Sequence, residues 1–361
     1  MDIKDILNIP PYSLGQEDKH NMLNQRLHEL TRRHYASSKE YRHMFNATGL
    51  DISNLPDFEH LPFIPVRLFK EFELRSVPKE EIVKTMTSSG TTGQRRSMIF
   101  LDRETSANQT KCLTKIVSSF LGGHRVPMLI LDSSSVVKDR HQFSARGAGI
   151  LGFSMFGSKR CYALDEHMEL NIDGIKNFLN EHRGETIFMF GFTFMIWQHF
   201  YKKLEESNFR PDLSHGVLIH GGGWKKLTNE QVSAATFKQS LNAVCGIDMK
   251  HIHDYYGMVE QTGTIYMECE CGHLHTSAFS DVIIRRPIDF SIAGKGETGL
   301  IEVISILPES YPGHVLLTED EGYIEGEDDC PCGRKGKYFK IIGRIKNAEI
   351  RGCSDTYAAR F

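Results

Sequence analysis

Gly216-Val217-Leu218-Ile219-His220-Gly221-Gly222-Gly223 passes from an apolar run directly into three glycines. A short apolar run bounded by turn residues reads as a buried strand and its exit. The same pattern recurs on both sides. Upstream lie Thr186-Ile187-Phe188-Met189-Phe190-Gly191 and Pro127-Met128-Leu129-Ile130-Leu131-Asp132, and downstream lies His251-Ile252-His253-Asp254-Tyr255-Tyr256-Gly257. Helical periodicity fills the gaps: residues 105–120, residues 173–182 with Ile175, Phe178 and Leu179 on one face, a segment through Trp197 and Leu204, and residues 230–241. Strand–helix alternation predicts an α/β domain with a largely parallel sheet. Ligands of such sheets gather at the carboxyl ends of the strands. The glycine-rich exit after Ile219 and the polar exit after Tyr255 therefore mark one crevice.

The flanks differ. Residues 16–46 carry Met22, Leu23, Leu27, Leu30, Tyr35, Tyr41 and Phe45 at helical spacing, and Gly49 ends the pattern. Leu61-Pro62-Phe63-Ile64-Pro65-Val66 cannot be helix interior, so it reads as an extended connector before a short helix near Leu68. From Ser277 onward short β runs follow: Val282-Ile283-Ile284, Gly299-Leu300-Ile301-Glu302-Val303-Ile304 and His314-Val315-Leu316-Leu317. The expected division is a helical segment 1–60, an α/β core 61–276, a small β-rich subdomain 277–343 completing it, and a tail 344–361.

The chain has 361 residues, a net charge of −3 and 40% hydrophobic residues, an ordinary globular composition. That balance argues against general nucleic-acid binding. No apolar run approaches the length of a membrane span. The start, Met1-Asp2-Ile3-Lys4-Asp5, does not read as a secretory signal. Eight cysteines, four of them in two Cys-x-Cys pairs, suit metal or thiol chemistry in a reducing compartment, so a cytoplasmic protein is expected.

Four groups of residues carry candidate chemistry. Thr85-Met86-Thr87-Ser88-Ser89-Gly90-Thr91-Thr92-Gly93 is rich in hydroxyls and glycine. It reads as a loop wrapping a phosphate through N–H and hydroxyl donors, or as a surface turn; it lacks the Walker lysine. Tyr255-Tyr256-Gly257-Met258-Val259-Glu260 offers a ring to stack on a base and a carboxylate for a divalent cation, or a turn with a solvated Glu. Leu317-Thr318-Glu319-Asp320-Glu321-Gly322 offers a carboxylate for ribose hydroxyls, or an acidic hairpin turn. Cys269-Glu270-Cys271-Gly272 and Cys330-Pro331-Cys332-Gly333 could close a structural Zn2+ site, with His273 or His275 able to replace a thiolate. The alternative is four reduced cysteines in turns. Gly147-Ala148-Gly149-Ile150-Leu151-Gly152 meets the dinucleotide pattern, but no buried strand precedes it, so a close-packed helix or turn is expected. Cys112, Cys161 and Cys245 have apolar neighbours and read as core.

Taken in order, the Ser/Thr/Gly loop, the glycine-rich exit, Tyr-Gly-x-x-Glu, an Asp after a β run and Gly343-Arg344 resemble the adenylate-forming superfamily, which includes the compact phenylacetate-CoA ligases. Pro62-Phe63-Ile64-Pro65-Val66-Arg67-Leu68-Phe69-Lys70 and Ala348-Glu349-Ile350-Arg351-Gly352-Cys353-Ser354-Asp355-Thr356 narrow the resemblance to the acyl-protein synthetase (LuxE-type) family, the ligase component of bacterial fatty-acid reductase systems.

That resemblance implies an ATP- and Mg2+-dependent enzyme that converts a carboxylic, fatty acid to an acyl-adenylate. By position, Ser88, Ser89, Gly90, Thr91, Thr92 and Gly93 resemble the phosphate grip. Gly221, Gly222 and Gly223 resemble the strip beside adenine and acyl group, and Tyr256, followed by Gly257, resembles the adenine-stacking ring. Glu260 resembles the Mg2+ ligand, Asp320 the ribose ligand and Arg344 the hinge-side arginine. The loop continues Gln94-Arg95-Arg96 where the superfamily usually has Pro-Lys, and only a short tail follows Arg344 in place of a full C-terminal lid domain. The family marks Cys353 as the acyl acceptor, and an acyl reductase as its partner. A thiolate is a good nucleophile toward a mixed anhydride, and Arg351 and Arg360 lie near it in sequence. Phe190, Phe192, Phe194 and Trp197 line an acyl channel or are plain core. The competing readings are a CoA ligase and a non-catalytic, zinc-stabilised binding protein.

Overall fold

The computed structural model describes residues 2–88, 95–138, 145–224 and 229–345. Two helices, α1 (Gln16–Ser37) and α2 (Lys39–Ala47), occupy the predicted N-terminal helical stretch. Ser38 separates them: its backbone is extended and its Oγ accepts from the Tyr41 N–H, capping α2. A hairpin, β1 (Lys84–Thr87) and β2 (Met98–Leu101), leads into α3 (Arg103–Leu121), which Asp102 caps by accepting from the Thr105 N–H.

The α/β core then runs β3 (Val126–Ser133), α4 (Ala145–Phe153), β4 (Gly157–Leu164), α5 (Ile172–Glu181), β5 (Ile187–Phe192), β6 (Gly216–Gly221), α6 (Ala234–Cys245) and β7 (Ile252–Tyr256). Their order across the sheet is β4-β3-β5-β6-β7, all parallel. Alternation along each strand feeds two cores. Phe188, Phe190 and Phe192 enter one, with Met128, Ile130 and Ile219. Ile187 and Met189 enter the other, with Leu129, Leu131 and Leu218. Helices cover both faces: Cys112, Ile116, Ile150 and Phe153 on the first side, and Ile175, Phe178, Phe237 and Leu241 on the second. Burial on both faces is why these strands read as unbroken apolar runs.

Past β7 the direction alternates. β8 (Tyr266–Glu268), β9 (Leu274–His275), β10 (Ser280–Arg285), β11 (Gly299–Ser305), β12 (Val315–Glu327) and β13 (Lys337–Arg344) pair antiparallel with one another, and β12 also takes the short segment Ile64–Pro65 as a parallel partner. The β runs expected after Ser277 continue the same sheet rather than forming a second one, in the order β10-β11-β12-β13-β9-β8-β7. The acidic string at Glu319–Glu321, which could have been a hairpin turn, is mid-strand in β12. The segment 147–152 lies in helix α4, as its context suggested. α1 is fastened to the sheet by buried Lys19, whose Nζ lies 2.7 Å from Thr276 Oγ1 and 3.4 Å from Asp281 Oδ1.

Candidate active site

The parallel strands β3, β5, β6 and β7 end on one side at Ser133, Phe192, Gly221 and Tyr256, and this edge brings Gly221, Gly222, Gly223, Tyr256, Asp320 and Arg344 together. Gly221 and Gly222 are small because aromatic rings fill the space beside them. A Cβ on Gly221 would sit 2.7 Å from the Tyr255 ring, and one on Gly222 would sit 2.6 Å from Phe192. Gly222 and Gly223 also have φ of 85° and 60°, which glycine adopts without strain. Phe192 presses equally on α4, 2.9 Å from where a Gly149 Cβ would lie, and Phe153 stacks on Phe190 at 4.2 Å. Phe190 and Phe192 are buried in the core at this edge, and Phe194 and Trp197 follow β5 in a helix whose residues Ile196–Tyr201 are π-helical.

Tyr256, at the end of β7, donates its hydroxyl proton to Asp320 Oδ2 at 2.6 Å. Arg344 Nε approaches Asp320 Oδ1 at 3.3 Å, because Asp320 and Arg344 face one another across β12 and β13. Burial and the Asp320 carboxylate hold the Tyr256 phenol well above its usual range, so it stays a neutral donor. Gly257 follows immediately; a Cβ there would come within 3.0 Å of Ile265. Sequence spacing could not show that residues 64 positions apart share a hydrogen bond.

Glu260 is 3% exposed, in a turn held from behind. Its carbonyl accepts from the Tyr311 hydroxyl at 3.0 Å, and the Gln261 amide donates to the carbonyls of Val303 and Gly313. Burial, joined by the nearby Glu260 carboxylate, raises the Tyr311 phenol far above its ordinary value. The β1–β2 hairpin docks here: Ser310 Oγ donates to the Phe100 carbonyl, and Thr262 Oγ1 lies 3.8 Å from Met86 Sδ. The neck of the Ser/Thr/Gly loop therefore abuts the Glu260 turn. Ser88 is committed to that neck. Its N–H donates to the Ser97 carbonyl and its Oγ accepts from the Ser97 N–H at 2.9 Å. Ser89, Gly90, Thr91, Thr92, Gly93 and Cys353 lie outside the described residues.

Two further buried polar groups lie at this edge: Asp132, which its sequence did not single out, and His220, expected beside the glycines as a positioned polar residue near the ligand rather than a general base. Asp132, at the end of β3, pairs with Arg146 of α4 at 3.1 Å; burial pushes its carboxyl up to about 6, against the pull of Arg146. His220 is held through Nδ1 by Thr193 Oγ1 at 3.0 Å, and burial lowers it to about 3, leaving it neutral. The only sequence signal for Asp132 was a charge closing an apolar run.

The cysteines divide unevenly. Ligand atoms of Cys269, His275, Cys330 and Cys332 all lie within 4.8 Å of one another. Cys271 is exposed at the hairpin tip and is not in that group, and His273 pairs with Glu325 at 2.7 Å instead. Cys112 and Cys245 are buried, and Cys161 is partly so.

This fold is that of the adenylate-forming ligases. A crystal structure of 2-hydroxyisobutyryl-CoA ligase with 2-HIB-AMP and CoA superposes with a TM-score of 0.69 at 14% identity, covering 93% of this chain and 77% of that one. The chain belongs to the acyl-protein synthetase, LuxE, family, whose model matches residues 1–361. It is accordingly an AMP-forming ligase. Two relatives are each named long-chain-fatty-acid–luciferin-component ligase. The Vibrio harveyi protein is 22% identical over 91% of this chain and 85% of its own length, and the Aliivibrio fischeri protein 25% identical over 89% and 84%. No helix among the described residues is long and apolar enough to cross a membrane.

Proposed function

We propose that this chain activates a long-chain fatty acid with ATP and then carries the acyl group on its own Cys353. The observation that supports this most is the convergence at one sheet edge: the Tyr256–Asp320–Arg344 cluster, the Gly221–Gly223 strip and the Glu260 turn with the loop neck docked on it. A nucleotide entering there meets a ring for its base. A carboxylate that already accepts from a hydroxyl is offered to its ribose, and the hydroxyl-rich sequence that continues from the loop neck has donors suited to its phosphates. A carboxylate oxygen of the fatty acid attacks the α-phosphorus, the bond to pyrophosphate breaks, and acyl-adenylate forms. The protein contributes position and fixed charge. Glu260 suits Mg2+, a hard cation that takes one or two protein carboxylates and completes its shell with phosphates and water. When bound, the ion neutralises phosphate charge. The thiolate of Cys353 then attacks the acyl carbon, the bond to AMP breaks, and a thioester remains. A partner acyl reductase consumes that thioester. Cys353 fits a carrier in chemistry: thiolates are strong nucleophiles, and thioesters remain reactive to a following reductant.

The test is fatty-acid-dependent exchange of labelled pyrophosphate into ATP. Asp320→Ala removes the acceptor for Tyr256 and the partner of Arg344, and is expected to raise the ATP KM about tenfold. Glu260→Gln is expected to lower the exchange rate about a hundredfold with little change in melting temperature. Exchange in wild type that ignores the fatty acid, or that neither substitution disturbs, refutes the reading.

A further inference from the structure

We propose that Cys269, His275, Cys330 and Cys332 bind one structural zinc ion that clamps the β7–β8–β9 ribbon to the β12–β13 hairpin. This goes beyond the acyl-transfer reading and does not depend on it. The four residues come from three places in the sheet: Cys269 just after β8, His275 in β9, and Cys330 and Cys332 in the connection between β12 and β13. Cys269, Cys330 and His275 are buried and Cys332 is partly so.

The spacing fits a tetrahedron. Cys269 Sγ lies 3.9 Å from Cys330 Sγ, and Cys332 Sγ lies 3.5 Å from His275 Nε2. With Zn–S of about 2.3 Å and Zn–N of about 2.0–2.1 Å, a tetrahedral ion separates two sulfurs by about 3.8 Å and a sulfur and nitrogen by about 3.6 Å. A disulfide would need the sulfurs at about 2.05 Å, so the 3.9 Å separation is not a covalent pair.

Both cysteine turns are built alike. Gly272 donates its N–H to the Cys269 carbonyl at 2.9 Å, and Gly333 donates to the Cys330 carbonyl at 3.0 Å. Each glycine has a left-handed φ, 84° and 82°. The two turns meet with their first sulfurs inward. Cys271, the second cysteine of its pair, points to solvent, and His275 supplies the fourth donor from the adjoining strand. Three soft thiolates and an imidazole select zinc over the hard cations, and four protein ligands leave no open position for catalysis.

Three thiolates around a divalent ion leave one negative charge, and Arg334 is placed to offset it. It hydrogen-bonds Cys332, pairs with Glu270, and lies over the rings of Phe120 and Tyr12 at 4.5 and 5.6 Å. The clamp has a purpose in the sheet: the ribbon carries Tyr256 and the hairpin carries Asp320 and Arg344, so the ion fixes two halves of one cluster in register.

The experiment measures metal, not ligase activity. Protein purified under reducing conditions after zinc-supplemented growth is analysed by inductively coupled plasma mass spectrometry, as wild type, Cys271→Ser, His275→Ala and Cys332→Ser. Wild type and Cys271→Ser are expected to hold about one zinc per chain, and the other two about a tenth of that or less. Because a ligand variant can fail to fold, cobalt(II) is also exchanged into wild type, where the intense visible bands of a tetrahedral thiolate complex are expected. Wild type without zinc and without those bands overturns the proposal. So does zinc lost from Cys271→Ser, or zinc retained in folded Cys332→Ser.

Discussion

Gly222 and Gly223 follow one another with left-handed φ of 85° and 60°, yet their surroundings differ. A Cβ on Gly222 would drive into Phe192 at 2.6 Å, whereas one on Gly223 would meet nothing within 4 Å. An alanine at either position carries the left-handed penalty of about 1–2 kcal/mol. At Gly222 the clash with a buried ring adds about 1–3 kcal/mol. Gly222→Ala is therefore expected to lower the melting temperature distinctly more than Gly223→Ala, measured side by side by thermal unfolding. Equal shifts contradict the packing described here. The glycines were legible in the sequence because strand exits in α/β folds draw attention. The reason for their size was not, because Phe192 and Tyr255 approach them only in the folded sheet.

Among the elements, α1 is held to the sheet by an interior of imidazoles. His34 of α1 contacts Ser76 Oγ at 2.7 Å and the Pro308 carbonyl at 3.1 Å, and Thr31 Oγ1 lies 3.0 Å from His314 Nε2. The two rings are 4.8 Å apart, with Arg26 and Arg33 as the nearby charges. Burial lowers His34 well below its ordinary value, and His314 to about 3. A histidine depressed in the fold contributes stability that is complete above about pH 6.5 and is lost as the pH falls toward the folded value. At pH 5 each such ring removes about 2 kcal/mol. His220 and His253, lowered by burial to about 3 and about 4, act in the same direction, while Asp132 and Asp254, raised by burial to about 6 and about 7, oppose them without outweighing the four histidines. The melting temperature is expected to fall continuously from pH 7.5 to 5 in scanning fluorimetry; a flat or rising profile contradicts this account. The elements were unequally readable. β3, β5, β6 and β7 are buried on both faces and announce themselves as apolar runs. β4 forms the sheet edge, so Ser158, Lys159 and Arg160 face solvent and no apolar run marks it. β13 and the far half of β12 consist mostly of half-buried and exposed positions, which hid them behind charge.

At the scale of the whole molecule, one sheet joins a parallel half, which ends at the glycine strip, to an antiparallel half, which returns Asp320 and Arg344 beside Tyr256. The order of motifs along the chain was enough to indicate the adenylate-forming fold. The partnerships were not, since Tyr256 with Asp320, Met86 with Thr262, and Cys269 with His275 and the second cysteine pair all depend on strand register. We propose that the activated acyl group ends on the chain itself, at Cys353. The measurement that tests it most directly is the intact mass of the protein after incubation with MgATP and fatty acids of graded length, for wild type and Cys353→Ser. Wild type is expected to gain one acyl mass that hydroxylamine removes, while Cys353→Ser gains none and still releases pyrophosphate. Pyrophosphate release with no adduct on wild type, or an equal adduct on Cys353→Ser, contradicts the claim.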